Sequence, residues 1–394
     1  MTLLRKFHSL ISISFFFTLL CSPLVFFDGV LSFLEKVLIT LALLAIALSF
    51  VLRDYSHKSS YDLKQTLLPV KPWFPWFLFL AIFMFVHGTS GLSEYLRIYL
   101  IMILGHITLS HYKCDEKKIV VFFALTTLAF SIVVCNTILL NGLSNVILGA
   151  NRNTSIPLLT SLSIVVLGYL CIHYKSLSGC YRALFMSAVA ANLMVVTLSE
   201  VRIAVLGYFS LIPALWLIDT RIFKHLLPKL AVLLFMLVAL FLFSDRLQQG
   251  FRDLALYLNG ISDTSWGIRL ELWKLSLNAF LAHPLIGWGL NPFDTLINAN
   301  FEFAPKHFDA PHFHNDFFNL LVTGGITLVF GWILTTTFLL SYFHRIHNHL
   351  TVIYIFFFLF IGLADCYFFN NFAALFIFVC NLILFRCMVT NSVH

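Results

Sequence analysis

Charge is scarce in this chain. Only 11% of its 394 residues are Asp, Glu, Lys or Arg, 60% are hydrophobic, and the mean hydropathy is +0.92. A soluble globular chain carries about 25% charged residues, so the shortage excludes an ordinary soluble domain and points to an all-α polytopic membrane protein. Nothing suggests a nucleic-acid surface. The net charge of +7 is better explained by the excess of Lys and Arg in cytoplasmic segments of membrane proteins. Cysteine chemistry is also missing. Most of the eight cysteines fall inside apolar runs, none lies in the one long polar stretch, and no CxxC occurs. That excludes a disulfide framework and a zinc site, leaving the cysteines as small buried hydrophobes. Arg5 and Lys6 precede an apolar Leu10–Phe27 as in a signal peptide, but no small-residue cleavage site follows. An uncleaved first span is expected. Internal repeats and low-complexity linkers are absent too, so residues 1–394 are expected to form a single transmembrane domain.

Apolar runs fill most of what remains. A spanning helix needs about 20 mostly apolar residues, and twelve stretches qualify: 9–27, 33–52, 73–89, 93–111, 119–140, 156–174, 183–200, 203–218, 226–243, 316–342, 350–367 and 371–389. With the N-terminus inside, 16 of the 25 Lys and Arg residues fall in cytoplasmic segments. Only four fall in short outer segments or helix ends, the rest lying in the long loop, whose length lowers its weight. Both termini are expected in the cytoplasm. The polar stretch 244–315, between the ninth and tenth spans, is expected outside.

Within that loop Trp266–His283 carries Leu270, Trp273, Leu277, Phe280 and Leu281 on one helical face and Glu271, Lys274 and Asn278 on the opposite one. This pattern predicts an amphipathic helix of about four turns, lying on the membrane or capping the bundle. His283-Pro284 and the glycines Gly287 and Gly289 end it. Arg269 lies in its first turn. A guanidinium beside backbone amides at a helix start suits a diphosphate, although a solvated or headgroup-facing arginine is the plainer alternative. Arg202, next to Glu200 in an apolar setting at the outer junction of two spans, is either half of a structural ion pair or an anion ligand facing a polar cavity.

Residues 311–316, PHFHND, enter the tenth span. Asp316 is expected to favour a helix start there, which puts His314 just ahead of the positive helix end, where a neutral ring able to accept a proton is favoured. His307 and His312 are near in sequence, but no carboxylate or cysteine stands at metal-ligand spacing, and no metal is expected. Arg152 in an outer loop and Asp365 at the outer end of the eleventh span are supporting candidates. An acid at membrane depth needs a partner, and Arg202, Arg269 and His314 are the ones on offer. Arg152, Arg202, Arg269, His314 and Asp365 are far apart in sequence, yet all are expected on the outer face.

Three motifs then carry a resemblance: the Ser199–Arg202 turn before an apolar helix; R-x3-W at Arg269 and Trp273 leading into HPLIGWGLNPF; and His314-Asn315, nine residues, then Gly325. With the twelve-span plan, they resemble the O-antigen ligase family within the O-antigen ligase and polymerase superfamily, GT-C-like glycosyltransferases of the bacterial inner membrane. The motifs span roughly residues 197–331. Two departures are visible: Glu200 and Val201 stand between Ser199 and Arg202, and the glycine after Gly325 is Gly331.

The resemblance implies transfer of a glycan from undecaprenyl diphosphate to a hydroxyl of lipid A–core on the periplasmic side, with inversion and without metal or other cofactor. By the same resemblance His314 is the base, Asn315 its supporting neighbour, and Arg202 and Arg269 hold the diphosphate. Undecaprenyl-diphosphate-linked O-antigen, lipid A–core and membrane lipids are the implied partners. A polymerase extending lipid-linked repeats is the alternative in the same chemistry. A flippase of lipid-linked glycans is the alternative outside it.

Overall fold

The computed structural model describes residues 73–87, 115–144, 146–147, 150–221, 224–226, 245–290, 292, 295–296 and 312–367, with 377, 380, 383 and 384 near the C-terminus. The expected spans at 9–27, 33–52 and 93–111 lie outside these residues, as do nearly all of 226–243 and 371–389 and residues 297–311 of the expected outer loop.

The described chain is almost wholly helical. It runs α1 (Phe74–His87), α2 (Glu116–Asn141), α3 (Arg152–His173), α4 (Gly179–Ser199), α5 (Arg202–Phe209), α6 (Leu211–Ile218), α7 (Asp245–Leu258), α8 (Ser265–Ala282), α9 (Asp316–Arg345) and α10 (His349–Ile361). A two-residue antiparallel pair, β1 (Val146–Ile147) and β2 (Ala150–Asn151), precedes α3. Among the described residues α2, α3, α4 and α9 are long and apolar enough to cross a membrane. The stretch 203–218 is helical as Arg202–Ile218, an apolar run in which Ser210, between α5 and α6, keeps helical φ and ψ of −61° and −22°. One expected span is shorter than the hydropathy suggested: 350–367 ends as helix at Ile361, where Gly362 caps α10.

Helix α3 lies at the centre. Every residue from Ser155 to Leu170 is buried, and α2, α4, α5, α6 and α10 pack around it. A helix apolar on all sides belongs inside a bundle. Ser155 Oγ is buried without a partner, but deeper in the helix Ser163 Oγ donates to Tyr208 Oη at 2.9 Å, and Tyr208 Oη donates to Asn192 Oδ1 at 2.8 Å. That chain joins α3, α5 and α4 where unpaired polar groups are costly. Pro157 sits inside α3 and has no N–H, so the carbonyl four residues back loses its helical donor. That carbonyl, of Asn153, accepts the Tyr367 hydroxyl at 2.7 Å instead. The start of α3 is thereby tied to the turn after α10.

Helix α9 is interrupted at Gly325, whose φ of 62° and ψ of −157° are not helical. The loop that follows α8 fills the interruption. Trp288 N donates to Val322 O at 2.8 Å and Gly289 N to Thr323 O at 2.9 Å, while Ile326 N donates to Pro284 O at 2.8 Å. The Thr327 hydroxyl bonds Leu285 O as well. A break in a spanning helix frees backbone groups that must be satisfied by protein, and residues 284–289 satisfy them. The crossing leaves no room for side chains: a Cβ on Gly287 would lie 2.5 Å from the Thr323 backbone, and one on Gly325 2.5 Å from Pro284 O. Both glycines also have positive φ. The HPLIGWG and GG motifs are two halves of one junction, which fixes α8 against the entry to α9.

The helix expected at 266–283 forms at Ser265–Ala282. Gly267, Leu272, Ser276 and Ala279 are buried, Trp273 and Phe280 are half-buried, and Leu277 and Leu281 are 46% and 71% exposed. Leu272 and Ala279 pack with Phe313 and Val322 around the start of α9. Those exposed leucines are the side of α8 suited to lying on a membrane.

Candidate functional site

The site is organised by the sequence His314-Asn315-Asp316 at the start of α9. The helix starts at Asp316, as expected; Asn315 is its N-cap, and the Asn315 side-chain oxygen accepts from Phe317 N at 2.8 Å and Phe318 N at 3.2 Å. Asparagine is favoured at this position because it satisfies amides that the first helical turn leaves bare. Its Nδ2 donates to Leu363 O at 2.6 Å. Asp316 N donates to Gly362 O at 2.8 Å, and the Asp316 carboxylate accepts Tyr367 N at 3.0 Å and 3.2 Å. One turn on, Asn319 Nδ2 donates to Cys366 Sγ at 2.7 Å, and its Oδ1 accepts Phe313 N at 3.2 Å. These bonds clip the turn 362–367 onto the head of α9. Gly362 belongs to the clip, since a Cβ there would lie 2.6 Å from the Asp316 carboxylate.

The clip brings Asp365 to His314. Nδ1 of His314 lies 3.1 Å from Oδ1 of Asp365, across 51 residues of chain. Asp365 is 7% exposed, and its Oδ1 also accepts Cys366 N at 2.9 Å. Burial raises its carboxyl. The hydrogen bond from His314 and the charges of His314, His312 and Arg269 outweigh that and hold it below the usual carboxylate range. An ionised acceptor fixes the tautomer of its histidine: Nδ1 carries the proton and donates, and the lone pair is on Nε2. His314 has a φ of 51°. The left-handed region is uncommon for a side chain with a Cβ, though histidine is among the residues enriched there. Such conformations persist where the surroundings hold them, as the clip does.

His312 packs edge-on against His314 with ring centroids 4.4 Å apart, and its Nδ1 accepts His314 N at 3.2 Å. Burial, then the neighbouring His314 charge, pushes its pKa down to about 4, so it is neutral near pH 7. His312, His314 and Asp365 each offer a ligand atom within 4.8 Å of the others. The fold supplies the carboxylate that the local sequence lacks. The donor set fits a cation only in part: Nδ1 of His312 is bonded to a backbone amide, and Nδ1 of His314 is engaged with Asp365.

Two arginines approach from other elements. Arg269 Nη1 donates to Ser265 Oγ at 2.8 Å, one turn back on α8, while its buried Nε has no hydrogen-bond partner. Its charge reaches Asp365 and His312. Arg202 is the first residue of α5, immediately after α4 ends in the left-handed Glu200 and the extended Val201. A Cβ on Gly250 of α7 would lie 2.6 Å from Arg202 Nη1 and 3.3 Å from Trp266 Nε1. The guanidinium therefore rests on bare backbone next to Trp266, which is three residues before Arg269 and on the same face of α8. Trp273 Nε1 donates to Phe313 O at 3.1 Å, tethering the histidine segment to α8. Arg152, expected in a loop, opens α3 beside Asn153, whose carbonyl is held by Tyr367.

His314 and Asp365 thus meet directly, and Asn315 holds the turn that carries Asp365 through Leu363 O. Arg269 acts on the group through its charge, Arg202 adjoins the start of α8, and Arg152 adjoins the Tyr367 anchor. Gly250, Asn319 and Tyr367 were not anticipated. A single glycine in an amphipathic helix and a buried asparagine carry no chemical signature. The i−4 vacancy left by Pro157 was the one available hint that Asn153 needed an outside donor.

A family model described as O-antigen ligase matches residues 186–333, from α4 to the middle of α9. Over these residues the chain is similar to the O-antigen ligase family. No curated protein matches the chain. The matched segment includes Arg202, Arg269, His314 and Asn315, and leaves Arg152 and Asp365 outside it. The likeness supports a glycosyltransferase-like membrane enzyme of the O-antigen pathway.

Proposed function

We propose that this protein transfers a glycan from undecaprenyl diphosphate to a sugar hydroxyl of lipid A–core at the periplasmic face of the bacterial inner membrane. The observation that carries the reading is the 3.1 Å contact between His314 and buried Asp365, which leaves Nε2 of His314 as a base. In the proposed step, Nε2 takes the proton of the acceptor hydroxyl as its oxygen attacks the anomeric carbon from the side opposite the diphosphate. The new C–O bond forms as the bond to the diphosphate oxygen breaks, and the configuration inverts. Undecaprenyl diphosphate leaves carrying the electron pair. Arg269, whose Nε is buried without a partner, and Arg202 bind that developing charge, the kind of preorganised stabilisation that favours a transition state. Asp365 stabilises the imidazolium formed in between.

The reaction needs no metal. Binding of a cation by His312, His314 and Asp365 would compete with the base. Reconstitution with undecaprenyl-diphosphate-linked glycan and rough lipopolysaccharide, with EDTA present, tests the reading. A lipopolysaccharide ladder supports the ligase. A longer lipid-linked polymer would assign the protein to the polymerases instead, and translocation alone would end the enzyme reading.

A further inference from the structure

The opposite end of the bundle carries a cavity that glycan transfer does not use. Helix α3 has 22 residues, so His173 lies roughly 32 Å along its axis from Arg152 and the His314 site. Between the last turns of α3 and the face of α4 lies an open cavity of about 930 Å³. Its walls are apolar, formed mainly by Leu167, Leu170, Met186, Val189, Ala190 and Leu193. Leu167 is about 9 Å from His173 along the axis, which gives the depth of the groove. The mouth is different in kind: His173, Lys175 and His225 line it, and no acidic residue does. Arg182 stacks on the ring of Tyr174, another lining residue, at 5.1 Å, and its buried Nε has no hydrogen-bond partner. The nearest acids on the same end, Asp115, Glu116 and Asp219, lie outside the lining; Asp219 accepts the Arg221 amide at 2.7 Å.

An apolar slot with Lys175 at its mouth and Arg182 stacked on the lining Tyr174 matches one ligand class, an amphiphile with a negative head and a hydrocarbon tail. Basic pockets between helices on the cytoplasmic side recognise anionic headgroups, and the distribution of Lys and Arg assigns this end of α3 to that side. We infer that the groove between α3 and α4 binds an anionic phospholipid of the inner leaflet, one acyl chain against Leu167–Leu193 and the phosphate against Lys175, Arg182 and His225. The inference is independent of the reaction proposed for the other end.

The test uses the full chain purified in detergent and native mass spectrometry with phosphatidylglycerol or phosphatidylcholine added. Preferential retention of phosphatidylglycerol is expected. Lys175→Ala and Arg182→Ala should each lower that preference roughly fivefold, and Ala190→Trp, which fills the slot, should lower retention of the lipid itself. Variants are compared only where gel filtration shows the wild-type profile. Equal retention of the two lipids overturns the inference. So does unchanged phosphatidylglycerol binding in all three variants, protection by inorganic phosphate equal to that by the lipid, or a photo-crosslinker at Ala190 that labels residues 227–244 rather than lipid.

Discussion

Replacing Asp365 with asparagine removes a charge and little else. Asp365 Oδ1 holds both His314 Nδ1, at 3.1 Å, and Cys366 N, at 2.9 Å. The amide keeps an oxygen for those two donors and places its nitrogen where Oδ2 was. The clip at the head of α9 should stand, because Asp316, Asn315 and Asn319 make the other bonds to residues 362–367. What is lost is the negative acceptor that favours the Nδ1–H tautomer and stabilises the imidazolium. Hydrogen bonds to charged groups contribute about 1.5–3 kcal/mol, and about 1.4 kcal/mol of barrier is tenfold in rate. The expected fall in kcat is therefore about 10- to 100-fold. A positioning role makes further demands: the KM for the lipid-linked donor should stay within about twofold, the melting temperature should hold, and Asp365→Glu should recover part of the rate. A transfer assay with purified donor and acceptor lipids measures all of these. Wild-type kcat in a folded Asp365→Asn protein would refute the coupling of Asp365 to His314. A rise in KM with unchanged kcat would move Asp365 to donor binding.

Arg269→Lys should lower kcat/KM at least tenfold while preserving charge, since an ammonium cannot make the paired contacts of a guanidinium with phosphate; steady-state kinetics against donor concentration checks this. Gly250→Leu should displace the Arg202 guanidinium, because the first added carbon alone lies 2.6 Å from Nη1. Weaker donor binding with unchanged affinity for the acceptor is expected in a competition assay. Acid should destabilise the histidine segment through His312. Its folded pKa of about 4 is below the ordinary 6.5, so the unfolded chain binds the extra proton first, and stability falls as pH drops from about 6.5 to about 4, by up to roughly 3 kcal/mol. Limited proteolysis after Phe313 across that pH range should show the loss, and His312→Gln should flatten it.

The helical membrane character of this chain was legible because it rests on composition: long apolar runs have few alternatives. Spans at 119–140, 156–174, 183–200 and 316–342 correspond to α2, α3, α4 and α9. The break in α9 was less legible, since Gly325 interrupts the helix through backbone geometry that apolar content does not encode. In the site, Arg269, His314 and Asp365 stood out as polar groups in costly surroundings. Which pairs would meet depended on the clip between α9 and residues 362–367, a long-range set of bonds that one-dimensional spacing cannot supply. By the same limit, spacing along the chain gave no sign that a carboxylate 51 residues away would stand beside His314. For α8, the apolar stripe was legible, but Leu272 and Ala279, not on that stripe, make the buried contact with the start of α9, while Leu277 and Leu281 stay exposed.

The most direct measurement compares wild type with His314→Ala in proteoliposomes containing undecaprenyl-diphosphate glycan, rough lipopolysaccharide and EDTA. Wild type should form a lipopolysaccharide ladder and the variant, inserted to the same level, none. A ladder of equal intensity from the variant would contradict the assignment of His314 as the base.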